Sequence, residues 1–290
     1  MRSTDQLHKY MGVEGAIRFF NTMGLRFTQP DQLNDPYECH LAFDKKVREQ
    51  LVEDFVSHTV KSKPDGDLKR ISDMAERNAD SLLEMALENY KETKNQLGVL
   101  SLSEDPLNLL MWAHYADKHQ GVVIELDFTH ESLFKVVGGG RMFSTLSSVR
   151  YQNEKVVGVP TPDKVIESLL VKSLDWEYEK EWRFIRTLNL LEEVEDGIFV
   201  GKISPKAIKR VIFGSRFPEE KLAEITKFTK LPEFSHVKLE KALMIPNRFE
   251  LRTIELGKFA WTLLHREHHF GNVAREALLC VVMEEDEEQS

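Results

Sequence analysis

Residues 98–128 limit the fold more than any other part of the chain. GVLSLSED reads as a buried strand that ends in two serines, Ser101 and Ser103. Pro106 opens a helix, at a position where its missing N–H does no harm. Leu109, Leu110, Trp112 and Ala113 give that helix an apolar face through Asp117. Gln120 and Gly121 end it, and VVIELDF (122–128) is a second strand. This strand–helix–strand unit is the clearest piece of architecture in the sequence.

The other segments read as short strands separated by single helices. Residues 7–10 form a first strand, with the polar His8, Lys9 and Tyr10 where it meets a helix over 12–21. That helix ends at Met23-Gly24 with a glycine cap. Residues 25–27 are a brief strand, and LNDPYE (33–38) is a turn whose Asn and Asp side chains bond their own backbone ahead of a proline. Residues 45–97 read as two or three surface helices broken near 63–66, an insertion or a cap over a site. Gly138-Gly139-Gly140-Arg141 is a hairpin or mobile loop without the spacing of a phosphate-binding loop. A short strand over 148–151 and a helix starting after Pro162 follow. Further strands are expected over 197–203, 211–213, 237–242 and 249–254, with a helix over 218–231. The tail carries Trp261, Leu263 and Leu264, then HREHHF, then a last helix, and ends in the acidic EEDEEQS, which is expected to be disordered. Strands outnumber what a parallel sheet needs, so the fold class is mixed α+β with mainly antiparallel sheets and flanking helices. Residues 1–256 form one domain with its helical insertion at about 45–97, and 257–290 are a helical extension.

Residues 176–185, WEYEKEWRFI, concentrate charge and aromatics. Trp182 and Phe184 alternate with Glu181, Arg183 and Ile185, the period of a half-buried strand. Glu179, Glu181 and Arg183 then share one face, which presents a fixed charge to a cleft or lies solvated on an edge strand. His114 and His119 are five apart, not the i, i+4 pair of a helical metal site. His265, His268 and His269 have near-ligand spacing but no carboxylate or cysteine frames them, so no metal site is expected.

Composition excludes several classes. The 48 acids outnumber the 39 Lys and Arg, a net charge of -9, so no general attraction to nucleic acid is expected. Cys39 and Cys280 are the two cysteines, too few for a disulfide framework, and a reducing cytoplasm fits. The N-terminal residues lack the apolar core of a signal peptide. No apolar run approaches the ~20 residues that span a bilayer. A cytoplasmic protein without membrane contact is expected.

Three segments, LNDPYE (33–38), MWAHYADKHQGVVIELDF (111–128) and KSLDWEYEKEWRFI (172–185), resemble a bacterial family catalogued as a domain of unknown function. AIKRVIFGSR (207–216) resembles its C-terminal strand, and the similarity runs over about 7–254. Leu33 stands where that family has Phe, and Ser101-Leu102-Ser103 where it has Cys-Phe-Ser. The order of elements is also similar to the ADP-ribosyltransferase fold, whose members cleave NAD between nicotinamide and ribose. That resemblance implies a polar residue on a first strand (His8, Lys9 or Tyr10, with Arg18 competing), a hydroxyl on a middle strand (Ser103) and an acid on a late one. Glu181 is expected to stabilise the oxocarbenium-like ribose, and Glu179 to position or deprotonate an unidentified acceptor. Tyr10 or Tyr115 is expected to stack on nicotinamide or adenine, with Asn34, Asp35, Trp112, His114 and Arg183 as further contacts around one cavity the size of a dinucleotide. Trp112 and Trp176 are more often core than ligand contacts. The enzyme implied is an NAD-consuming transferase or NAD glycohydrolase, of the kind that serves as a toxin or phage-defence effector.

Two other classes stand beside it. A non-catalytic binding or sensing module leaves Trp112, Tyr115 and Trp176 as core and residues 177–181 as a salt-bridged edge. A metal-dependent nuclease uses Asp35, Glu38, Glu125 and Asp127.

Overall fold

Alternation along the strands decides which residues are buried together, and the fold follows from it. The computed structural model describes residues 5–63, 65–135 and 143–257. The chain opens with β1 (Gln6–Met11), α1 (Val13–Thr22) and β2 (Gly24–Phe27). The insertion is three helices, α2 (Lys45–Ser62), α3 (Leu68–Arg77) and α4 (Ala79–Asn95). The central unit is β3 (Leu97–Ser103), α5 (Leu109–Tyr115) and β4 (Val122–Asp127). Then come β5 (Ser144–Ser148), β6 (Arg150–Tyr151), α6 (Pro162–Ser168), β7 (Val171–Lys172), β8 (Glu181–Thr187), β9 (Glu192–Glu195) and β10 (Ile198–Lys202). The described chain closes with β11 (Ile208–Phe213), α7 (Glu219–Thr229), β12 (Lys238–Met244) and β13 (Leu251–Glu255).

Eight strands form one sheet in the order β13-β12-β11-β4-β1-β3-β8-β5. Only its β11–β12 pair is parallel among the described strands, so the fold is α+β with a mixed, mostly antiparallel sheet. A small sheet, β2-β10-β9, joins the large one through the bridge Thr28–Val99.

One face of the large sheet packs Leu7, Leu100, Leu102, Ile124, Leu126 and Phe184 under α1 and α7, with Phe19, Phe20 and Ile225. The other face carries two separate apolar clusters. One holds Tyr90, Val99, Val165, Leu169 and Ile185, and the other Tyr10, Trp112, Val123 and Ile212. Between them, on the same face by alternation, lie His8, Ser101, Ser103, Glu181 and Arg183. His8 pairs with Ser103 and Ser103 with Glu181, so the three form one cross-strand row. Among the described residues, His8–Ser103 is the one register pair between β1 and β3, and beyond it the strands part.

Several boundaries differ from the sequence reading. Met23, not Gly24, takes the left-handed cap of α1 (φ 54°), because Gly24 already belongs to β2 and lies against Val200. Helix α5 starts at Leu109 rather than Pro106. The Asn108 side chain accepts from the N–H groups of Leu110 and Met111, a cap that proline cannot supply. After it, Asp117, Lys118 and His119 all have positive φ (46°, 55° and 69°). This left-handed run brings the Asp117 carboxylate to the Val13 N–H, 2.8 Å away, where it caps α1. Gly121 permits the turn, since a Cβ there would collide with Met11 O and the Ala116 backbone. The expected turn at Gly138-Gly139-Gly140-Arg141, and all expectations for residues 258–290, lie outside the described residues. The latter include Trp261, Leu263, Leu264, His265, His268, His269 and Cys280.

Candidate functional site

The part of the sheet where β1 and β3 separate is a slot of about 60 Å³. It is lined from β1 by His8, Lys9 and Tyr10, from β3 by Ser101 and Leu102, and from β8 by Glu181 and Arg183. Leu33, Asn34 and Glu38 close it from the loop before α2, Met111 and Tyr115 from α5, and Lys172 and Glu179 from the segment before β8. A wider hollow of about 540 Å³ adjoins it and shares Asn34, Glu38 and Lys172. The slot holds a few waters rather than a dinucleotide, while the hollow is within the ~300–1,000 Å³ of small-molecule sites. The single dinucleotide-sized cavity expected from the sequence is thus a narrow slot opening onto a broader hollow.

Charge is dense here and almost fully buried. Arg183 donates from Nε to Glu181 Oε1 at 2.9 Å and from Nη2 to Oε2 at 3.0 Å, a two-pronged clamp. Its Nη1 donates to Leu169 O at 2.7 Å and its Nη2 also to Glu38 Oε2. Lys172 Nζ lies 2.6 Å from Glu179 Oε2, 3.5 Å from Glu181 Oε2 and 4.0 Å from Glu38 Oε2. It also stands over the half-buried Trp176 ring, 4.8 Å from its centroid. Burying ions costs several kcal/mol each, and apolar residues of equal volume often serve stability as well or better. A buried set of three acids and two cations is therefore a functional candidate before it is a structural one.

Environment pushes the two neighbouring carboxyls apart. Burial works to raise Glu181, but Arg183 and then Lys172 outweigh it and draw it down to about 2. Glu179 is raised, mainly by burial, with Lys172 opposing and the Glu181 charge adding to the rise. Lys172 is raised, because the Glu181, Glu38 and Glu179 charges overcome a burial effect that alone would lower it. Lys9 is brought down to about 8 by burial, and its Nζ donates to Ser101 O at 3.0 Å. Tyr115 donates to Glu179 Oε1 at 2.6 Å and is raised by burial and by that bond. Asn34 Nδ2 donates to the same Tyr115 oxygen at 2.8 Å.

Of the residues singled out from the sequence, Glu181, Glu179, His8, Lys9, Tyr10, Asn34, Tyr115 and Arg183 line the slot. His8 is tied to Ser103 O (3.1 Å) and Glu125 Oε2 (3.3 Å), and the Tyr10 hydroxyl donates to Asp105 O at 2.6 Å. The others are elsewhere. The Ser103 hydroxyl, fully buried outside the slot, donates to Glu179 O at 2.7 Å and accepts from Asp105 N–H at 3.1 Å. It pins the corner before β8 rather than facing a ligand. Asp35 lines only the hollow, where its Oδ1 accepts from the Tyr37 N–H. Trp112 is core, with Nε1 donating to Pro106 O, and His114 is exposed away from both cavities. Trp176 is not core but lines the hollow. Arg18 is exposed on α1, outside the slot. Glu179 is not on a strand beside Glu181. It ends a 3-10 turn (Leu174–Glu179), and Lys180 in a left-handed conformation (φ 44°) turns the chain into β8. The two carboxyls meet because both reach Lys172.

Sequence reading named Glu38 only as a metal ligand of the nuclease reading, and it missed Lys172 and Ser101, whose hydroxyl helps to draw Glu181 down. The four acids of the nuclease reading do not gather. Glu125 is held by His8 and Arg210, Asp127 by Lys209, and among the described residues no three His, Cys, Asp or Glu are placed to hold a metal. The helices α2–α4 do not cover the slot or the hollow; no residue of theirs lines either. Among the described residues, no helix is long and apolar enough to cross a membrane.

Residues 111–184 match the family model described as "Protein of unknown function (DUF2971)". The match takes in most of α5, all of β4 and the Lys172–Glu179–Glu181–Arg183 group. The LNDPYE loop and residues 207–216 lie outside it, so it is narrower than the span of 7–254 read from the motifs. No curated protein and no solved structure matches the chain significantly.

Proposed function

We propose that this protein consumes NAD, as an ADP-ribosyltransferase-like enzyme or NAD glycohydrolase. The carrying observation is the Glu179–Glu181 pair: two carboxyls on one Lys172 ammonium, driven to opposite pKa directions, in a slot lined by first-strand side chains. Environments that separate two acids in this way are the signature of divided acid–base roles. The C–N bond between nicotinamide and ribose breaks with its electron pair passing to the pyridinium nitrogen, so neutral nicotinamide leaves. Positive charge develops on the ribose, and the ionised Glu181 stabilises it. Water or an acceptor hydroxyl then bonds to the ribose carbon and gives its proton to Glu179, whose raised pKa makes it the better base of the two. Only the reacting ribose has room in the slot, once the exposed Asn34–Tyr115 bond parts. The rest of the dinucleotide lies in the hollow, against Trp176. A setting in toxin action or phage defence belongs to the same proposal.

A non-catalytic binding or sensing module is the second reading, and one observation favours it. Glu181 is clamped by both prongs of Arg183 and approached by Lys172, which leaves it few free lone pairs. Nicotinamide release from NAD by wild type and Glu181→Gln separates the two. The enzymatic reading expects at least ~100-fold loss in the variant. A wild type that releases no nicotinamide, or a variant as active as wild type, sinks it.

A further inference from the structure

Glu38 lies in the loop that follows Pro36, far in sequence from the β8 acids, yet its side chain is 2% exposed and packed among them. Its Oε2 is held by Arg183 and stands 4.0 Å from Lys172. Its Oε1 is buried and, among the described residues, has no hydrogen-bond partner. A buried carboxylate oxygen lacking a donor costs free energy that a bound donor recovers. Glu38, Asn34 and Lys172 are the residues common to the slot and the hollow, so a molecule that spans both passes the Glu38 side chain. The backbone beside it is also constrained. Cys39 has φ 58°, uncommon for a residue with a Cβ, and its carbonyl accepts from the Tyr90 hydroxyl (2.9 Å) and the Lys94 ammonium (3.4 Å). Helix α4 of the insertion thereby fixes the loop that delivers Glu38.

We propose that Glu38 is a substrate-binding residue whose Oε1 accepts a hydroxyl of the ribose at the junction of slot and hollow. The inference rests on the NAD reading above and names the part of the molecule that Glu38 receives. A phosphate oxygen brings negative charge and no donor to an already acid-rich junction, whereas a ribose hydroxyl brings a neutral donor. Glu38 then selects ribose over deoxyribose, because a site built to bond a hydroxyl rejects the analogue without it.

Calorimetric titration tests this with NAD and with its analogues lacking the 2′- or 3′-hydroxyl of the nicotinamide ribose. Glu38→Gln is the matched variant. Its amide oxygen can keep facing Arg183 while its NH2 replaces the acceptor at the Oε1 position. NAD is expected to bind Glu38→Gln at least tenfold more weakly than wild type. One deoxy analogue is expected to bind wild type at least tenfold more weakly than NAD does, and the variant is expected to lose little further affinity for that analogue. Should the variant fail to fold, the analogues on wild type decide alone. Equal affinity of wild type for NAD and both analogues, or equal NAD affinity of wild type and a folded Glu38→Gln, overturns the role of Glu38 and leaves the NAD reading standing. Wild type that binds no NAD overturns both.

Discussion

Two buried charge networks lie on the same face of the sheet, and they differ in their contact with water and in whether every acid oxygen has a donor. In the first, Glu125 Oε2 takes Nε (2.9 Å) and Nη2 (2.6 Å) of Arg210 and lies 3.3 Å from His8 Nε2, and Arg210 Nη1 reaches Glu240 at 2.9 Å. Glu240 and Arg210 keep side-chain exposures of 17% and 23%, so water shares the load, and no buried polar side-chain atom of His8, Glu125, Arg210 or Glu240 lacks a partner. In the second, the side chains of Glu38, Lys172, Glu179, Glu181 and Arg183 are each at most 4% exposed. Among the described residues, one of its acid oxygens, Glu38 Oε1, has no donor, and Glu38 lines the slot. Paired charge by itself is architecture. A dry acid oxygen without a donor, on a residue that lines an opening, marks a place for something the chain does not provide.

Breaking one cation in each network gives the largest contrast. Arg183→Met is expected to cost about 3–5 kcal/mol in urea unfolding, since it strands two buried carboxylates. Arg210→Met is expected to cost less, about 1–3 kcal/mol, because Arg210 and Glu240 keep contact with water although Glu125 is buried. Comparable costs for the two would erase the distinction. Next in size is activity: Glu181→Gln loses nicotinamide release, whereas Glu240→Gln, remote from the slot, retains it.

Acid sensitivity sharpens the comparison further. Glu181 falls from its ordinary 4.5 to about 2 in the folded chain. Between those values the unfolded chain holds a proton that the folded chain does not, so stability rises with pH across the window and is fully present above it. Melting temperature followed from pH 5 to 2 is expected to drop steeply in wild type and less steeply in Glu181→Gln. Parallel curves would show that the Glu181 charge is not a folding determinant. The smallest effect is expected from Tyr115→Phe. Its hydroxyl stabilises the ionised Glu179, so without it Glu179 rises further and the acidic limb of the nicotinamide-release profile moves to higher pH. An unmoved limb would argue against Glu179 as the base.

Much of the fold was readable because strands announce themselves by period two. Trp182 and Phe184 alternating with Glu181 and Arg183 become β8, and the strand–helix–strand unit becomes β3, α5 and β4. The site was readable in part, where a charged residue interrupts an otherwise apolar strand face, as Glu181 and Arg183 do. Glu38 and Lys172 carried no such signal. One lies in a turn and the other on a two-residue strand, and neither segment is long enough to show a period.

The sequence by itself determined the longer strands and which side chains within each share a face. Ser101 and Ser103 are indistinguishable on that basis, two apart on one strand and both inward. Tertiary structure alone chose between them. β1 and β3 stay paired at His8–Ser103, which shuts Ser103 away, and separate beyond it, which opens the slot at Ser101. Whether two neighbouring strands hold together or part depends on everything packed against them, and no local pattern in either strand encodes it.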